Sequence, residues 1–130
     1  AGDAERKAAL AALLRGGRLA VGATYVNPHA SLFSAEALPL LFAFNGTLER
    51  ELGFRPTIAV MNDVPSFPEA LVDAAAAAGV TGFLLGTNLS FSPPLPERLA
   101  RRPCVWRSAR GAREQPRSGL PWLAVYRRLR

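Results

Sequence analysis

The chain has 130 residues, a net charge of +6 and a hydrophobic fraction of 49%, a size and composition that fit one folded domain. A single Cys and a single His exclude a disulfide framework, a Cys-rich zinc module and a His-rich metal site. The longest stretch without charged residues, 74–96, contains three prolines and several polar residues, so it does not predict a membrane span. Because no signal peptide is visible, we expect a cytoplasmic protein.

Charge is distributed unevenly along the chain. Residues 1–97 contain six Lys or Arg and nine Asp or Glu, whereas residues 98–130 contain ten Arg and one Glu. Prolines 93, 94 and 96 lie at the same point of the sequence and interrupt regular structure. These observations predict an α/β unit over 1–97 and an Arg-rich tail over 98–130 that contributes little to the core, with one further strand possible at 121–126.

The first half of the chain predicts a helix, a strand and a second helical region. Ala and Leu dominate Asp3–Arg15 before Gly16 and Gly17, which predicts a helix with a glycine stop. Small and β-branched residues over 19–26 predict a buried strand. An apolar stripe from Leu38 to Leu52, interrupted by Pro39, predicts a kinked helix or two short ones.

The second half repeats this order of elements. Residues 57–61 are apolar on both faces and predict a strand buried on both sides. Ser66 and Glu69 have the spacing of a capping box and predict the start of a helix that runs to Gly79. A further strand is predicted over 82–85. This alternation predicts an α/β fold in which parallel strands are joined by crossover helices.

A polar residue follows each predicted strand, namely Asn27, Asp63 and Asn88. The carboxyl ends of parallel strands form the ligand-binding rim of α/β folds. We therefore expect these three residues to lie on one rim. A carboxylate at the position of Asp63 can bind metal, attack as a nucleophile or act as a base, and the alternative is that it makes an Asx turn or caps the next helix.

Two other groups of residues suggest ligands. His29, Asp63 and Cys104 are the side chains that could complete a zinc site, although they come from three separate elements. The arginines of 98–130 are interleaved with Trp and Tyr, which is the composition of a single-stranded nucleic-acid binder. The tail has no RNP, KH or zinc-knuckle pattern, and an acidic partner would fit it equally well.

Several short sequence motifs occur in an order known from one protein family. They are Gly17-Arg18-Leu19 followed by Tyr25-Val26-Asn27-Pro28, then Phe33-Ser34-Ala35-Glu36-Ala37-Leu38, the run 49–56, Asn62-Asp63-Val64-Pro65-Ser66-Phe67, and Ala78-Gly79-Val80. In this order, residues 17–90 resemble the N-terminal catalytic domain of the glycoside hydrolase family 38 α-mannosidases and their bacterial relatives. The resemblance implies a partial (β/α)7 barrel of the glycoside hydrolase and deacetylase type.

The resemblance also implies roles for individual residues. Asp63 matches the aspartate that serves this family as both nucleophile and zinc ligand, and Asn62 and Asn88 are the candidate substrate-binding residues beside it. The family's H-x-D zinc pair has no counterpart in this chain, nor do its later ligand histidine and its acid carboxylate.

We therefore expect an incomplete part of a zinc-assisted retaining hydrolase for α-mannoside-like carbohydrates, inactive as an isolated chain. The alternative is a small α/β binding protein that uses its cationic tail for nucleic acid or an acidic partner.

Overall fold

The computed structural model describes residues 2–88, 90, 91, 106 and 108. Their elements follow in the order α1 (Asp3–Arg15), α2 (Phe44–Leu52), β1 (Ile58–Val64), α3 (Ala70–Ala77) and β2 (Gly82–Thr87). Short 3-10 turns lie between α1 and α2, at Ala30–Leu32 and Leu38–Phe42. The predicted α/β class is confirmed, as are α1 and the division of the second helical region into two short pieces.

The sheet of the described residues consists of β1 and β2, which are parallel. Ile58 pairs with Gly82 and Met61 with Leu85, and α3 connects the two strands as a crossover helix. The main core contains Met61 and Phe83 from the sheet together with Leu71 of α3, all almost fully buried. The predicted parallel pairing of these two strands is confirmed.

Only one face of β1 is buried, so the prediction that residues 57–61 are covered on both sides is wrong. Ala59 and Met61 are fully buried, whereas Ile58 and Val60 are 43% and 39% exposed. Leu84, which pairs with Val60, is 39% exposed. The physical reason is that alternate residues of a strand point to opposite faces, and the core on the α3 side covers only one of them.

The predicted strand over 19–26 is also wrong as a regular strand, although this segment does lie along β1. The amide of Ala23 donates to the carbonyl of Ile58 at 2.8 Å. Further along, the Thr24 hydroxyl donates to the carbonyl of Val60 at 3.2 Å. Because a side chain replaces the backbone as donor at this second contact, no continuous backbone ladder forms.

Helices α1 and α2 enclose a second, smaller core. Ala11 and Leu14 of α1 are buried with Leu48 and Leu52 of α2. Leu14 is the leucine of α1 that this core buries, whereas Leu10 and Leu13 are 39% and 40% exposed. Arg15 connects the C-terminal ends of the two helices, since its Nη1 donates a hydrogen bond to the carbonyl of Leu52 at 2.9 Å.

Helix α3 begins later than the capping box predicts. Its first residue is Ala70, and no side chain caps its N-terminus. Because Ser66 precedes Ala70 by a full turn, its hydroxyl is too far back to accept from the first free amides of the helix. The predicted stop at Gly79 is confirmed, because this residue has φ of 76°, a backbone conformation that glycine adopts without steric cost.

Candidate active site at the carboxyl end of β1

The carboxyl end of β1 contains an irregularity centred on Asn62 and Asp63. Met61 pairs with Leu85 and Val64 with Thr87, so β1 contains one more residue than β2 between these pairs. Asp63 has φ of 60° and is the single non-glycine residue of the described chain in the left-handed region. An extra residue of this kind bends a strand and redirects a side chain. Asp63 is exposed at this bend.

Asn62 is fixed through its backbone by the side chain of Asn27. Nδ2 of Asn27 donates to the carbonyl of Asn62 at 2.5 Å, and the amide of Asn62 donates to Oδ1 of Asn27 at 3.1 Å. One carboxamide therefore satisfies both backbone groups of Asn62. Sequence reasoning placed Asn27 on the rim but did not identify this role, for which the residue type carries no specific signal.

The side chain of Asn62 lies over Gly86 of β2. A Cβ atom added to Gly86 would lie 2.1 Å from Oδ1 and 3.2 Å from Cγ of Asn62. These distances are far below van der Waals contact, so the place of the Asn62 side chain depends on the absence of a side chain at Gly86. Gly86 of β2 thus leaves the space that the Asn62 side chain of β1 occupies.

Asn88 follows β2 on the same rim and is half-buried. Its backbone amide donates to the carbonyl of Val64 at 2.9 Å. Its Oδ1 accepts from the amide of Ser90 at 2.9 Å, which is the hydrogen bond of an Asx turn. The predicted convergence of Asn27, Asp63 and Asn88 at one end of the sheet is therefore confirmed.

The Asp63 carboxylate has neither a hydrogen bond nor an ion pair with the part of the chain that the structure describes. It does not cap α3, whose N-terminus has no side-chain cap. The helix-cap alternative considered for this residue is therefore wrong. An exposed carboxylate at the end of a strand can bind hydroxyl groups, attack an electrophilic carbon or accept a proton.

Of the three residues of the predicted zinc site, the structure describes His29 and Asp63. Across the described positions, no group of three His, Cys, Asp or Glu side chains is close enough together to hold a metal ion. His29 is exposed and directly precedes the 3-10 turn Ala30–Leu32. Cys104, the third residue of the set, lies outside the described residues.

Two residues beyond the predicted boundary pack against the α/β unit. Trp106 lies with its ring centroid 5.8 Å from that of Phe83 and 6.5 Å from that of Phe67. Ser108 is 4% exposed, and its hydroxyl donates to Asp73 of α3. At these two positions the expectation that 98–130 contributes little to the core is wrong. That expectation rested on the cost of burying charged arginines, whereas Trp106 and Ser108 are uncharged and can be buried.

The other predictions for the tail, namely nucleic-acid binding by its arginines and a strand at 121–126, lie outside the described residues. No described helix combines the length and apolar character needed to cross a membrane. Comparison with known proteins finds no match, since no family model, no curated protein and no solved structure is significantly similar to this chain.

Proposed function

We propose that this chain is part of a glycoside hydrolase domain that acts on α-mannoside-like carbohydrates with retention of configuration. In this proposal Asp63 is the nucleophile, and Asn62 and Asn88 bind the sugar. The parent fold proposed is a (β/α)7 barrel of the glycoside hydrolase and deacetylase type, of which residues 1–97 supply consecutive strand and helix units.

The observation that carries the proposal is the position of Asp63. Its carboxylate is exposed at the carboxyl end of a parallel strand, in a bulge with φ of 60°. Left-handed backbone at a non-glycine residue is uncommon and concentrates at functional sites. Asn62 and Asn88 lie at the same end of the sheet, and a carboxamide carries both a donor and an acceptor, which suit the hydroxyl groups of a sugar.

The open face of the sheet supports the barrel as the parent fold. Ile58, Val60 and Leu84 form an exposed apolar surface on the side of the sheet opposite the buried core. Parallel sheets are normally covered on both faces. In a barrel, this second face would point inward and pack against side chains from the remaining strands.

The chemistry proposed for Asp63 is a nucleophilic displacement. One carboxylate oxygen forms an ester bond with the anomeric carbon while the bond from that carbon to the leaving oxygen breaks. The leaving oxygen takes the electron pair and receives a proton from a second carboxylic acid about 5 Å from the first. Water then attacks the same carbon, that second group takes its proton, and the Asp63 carboxylate is released.

The residues around Asp63 do not fit a zinc ion, the metal that the family resemblance implies. Asp63 contributes one carboxylate, and its neighbours Asn27, Asn62 and Asn88 offer amide groups rather than the nitrogen and sulfur ligands that zinc prefers. Among the described residues no further His, Cys, Asp or Glu pair joins Asp63 as ligands. No step of the proposed displacement therefore passes through a metal.

A mannosyl fluoride that carries a second fluorine on its ring tests the nucleophile directly. Fluoride leaves without prior protonation, so the first displacement needs Asp63 but no second carboxylic acid. The expected result is one mannosyl adduct per chain by intact mass, located at Asp63 by fragmentation of the tryptic peptide that follows Arg50, since trypsin does not cleave between Arg55 and Pro56. Asp63→Asn should abolish the adduct, whereas the matched change Glu36→Gln, at an exposed acid in another segment, should leave it.

Failure to label the wild-type chain, or an adduct that persists in Asp63→Asn, would contradict the proposal. Absence of an adduct combined with oligonucleotide binding that weakens steeply with salt would instead favour the alternative of a cationic binding protein.

A further inference from the structure

The edge of β1 that faces away from β2 carries three carbonyl groups, at the alternate residues Ile58, Val60 and Asn62. Each accepts a hydrogen bond from the segment 23–27, at distances of 2.8, 3.2 and 2.5 Å in that order. The donors are a backbone amide, then a hydroxyl, then a carboxamide. The segment therefore follows β1 in the parallel direction and changes from backbone to side-chain contacts as it approaches the rim.

The contact at Asn62 differs from the other two because it is reciprocal. Asn27 both donates to the Asn62 carbonyl and accepts from the Asn62 amide. A carboxamide presents the same donor and acceptor as a peptide group, so Asn27 takes the place of a neighbouring strand for one residue. On the other side, the carbonyl of Val64 accepts from the amide of Asn88.

Asp63 lies between these two fixed points. Asn62 is held on one edge of β1 and Val64 on the other, and Asp63 is the residue of the bulge with left-handed backbone. A left-handed conformation of an aspartate is unfavourable by itself and persists where its surroundings determine it. Among the described residues, Asn27 and Asn88 make the hydrogen bonds that hold the backbone on either side of Asp63.

We infer that Asn27 is a positioning residue for Asp63: its carboxamide fixes the backbone of Asn62 and thereby holds the bulge that presents the Asp63 carboxylate at the rim. The catalytic meaning of this role rests on the function proposed above. The structural role does not, and the two can be tested separately.

Amide hydrogen exchange of the complete chain, followed residue by residue by NMR, tests the role without any sugar. In Asn27→Ala the Asn62 amide loses its acceptor, and its protection should fall about tenfold while that of Met61 and Phe83 is unchanged. Thr24→Val is the matched control, because it removes the neighbouring hydroxyl donor but leaves the acceptor of the Asn62 amide in place. Asn62 protection should stay as in the wild type.

A second readout reports the conformation of Asp63. At positive φ the amide proton lies close to Hα of the same residue, so the intraresidue NOE of Asp63 is strong. This NOE should weaken in Asn27→Ala and stay strong in Thr24→Val. Asn27→Asp keeps an oxygen that can accept from the Asn62 amide, and it should restore part of the Asn62 protection that Asn27→Ala removes.

The inference is overturned if Asn62 protection and the Asp63 NOE are unchanged in Asn27→Ala. It is equally overturned if all amides of β1 lose protection together, or if Asn27→Asp restores nothing. Loss of the Asp63 NOE in Asn27→Ala together with no mannosyl adduct on the wild-type chain would support the positioning role and contradict the proposed function alone.

Discussion

Asn45, in the first turn of α2, is 1% exposed, and neither Oδ1 nor Nδ2 of its side chain has a hydrogen-bond partner among the described residues. A buried polar group without partners costs about 1–3 kcal/mol, and an apolar side chain of similar shape removes this cost. Asn45→Leu should therefore raise the free energy of unfolding by about 1 kcal/mol, measured by urea denaturation. Asn45→Asp is the control and should lower it, because it buries a charge. A loss of stability in Asn45→Leu would contradict this account.

In Asp63 the backbone is unfavourable and the side chain is not: the side chain is exposed to water, whereas the backbone has a strained, left-handed conformation. Its place at the carboxyl end of β1 could be predicted from the sequence. Its left-handed φ could not, because the bulge depends on contacts with Asn27 and Asn88, which are distant in sequence. The sequence therefore predicted Asp63 as the candidate catalytic residue, but it did not predict the bulge that exposes its carboxylate.

At the scale of elements, the helices that end at glycines were predicted correctly, whereas the start of α3 was not. Helix α1 has an Ala- and Leu-rich composition and a glycine stop, and α2 ends at Leu52, directly before Gly53, whose φ is 61°. The segment 19–26 was predicted as a strand because its residues are small and β-branched. The hydrogen bonds that this region makes to β1 come partly from the side chains of Thr24 and Asn27. Strand propensity does not predict such side-chain contacts.

The contact between α1 and α2 includes an ion pair that should make stability depend on pH. The Lys7 ammonium donates to Glu51 at 2.6 Å, and this hydrogen bond and charge hold the pKa of Glu51 below its ordinary value of 4.5, with a smaller contribution from Arg50. Because the folded-state pKa is lowered, the stabilisation is present above pH 4.5 and is lost as the pH falls through the folded pKa.

Lys7→Gln should therefore raise the pKa of Glu51, measured by NMR titration of its carboxyl carbon. Arg6→Gln is the matched control, since it removes a charge from the same helix, where Arg6 pairs with Asp3 instead. An unchanged Glu51 pKa in Lys7→Gln, or an equal rise in Arg6→Gln, would show that the Lys7 contact does not form in solution. Because both side chains are about half exposed, the rise should shrink with added salt.

At the scale of the whole molecule, the α/β class and the common rim followed from the order of elements, whereas the extent of the core did not. The charge boundary near residue 97 predicted that the chain beyond it stays outside the core. Trp106 nevertheless packs against Phe67 and Phe83, and Ser108 is buried against α3. Charge counting describes a segment by its average, while burial is decided side chain by side chain.

This packing predicts that Trp106 unfolds together with the sheet and α3. In a Trp122→Phe background, Trp106 is the sole indole of the chain, and its emission should be shifted to shorter wavelength by contact with the core. Because Phe83 belongs to β2 and Asp73 to α3, the emission change and the loss of far-UV circular dichroism should share one urea midpoint. Ser108→Ala should lower the free energy of unfolding by about 1 kcal/mol, since the Asp73 carboxylate loses its donor. Both urea midpoints should therefore fall by the same amount. An emission change that precedes the loss of circular dichroism would mean that Trp106 detaches from a unit that is stable without it.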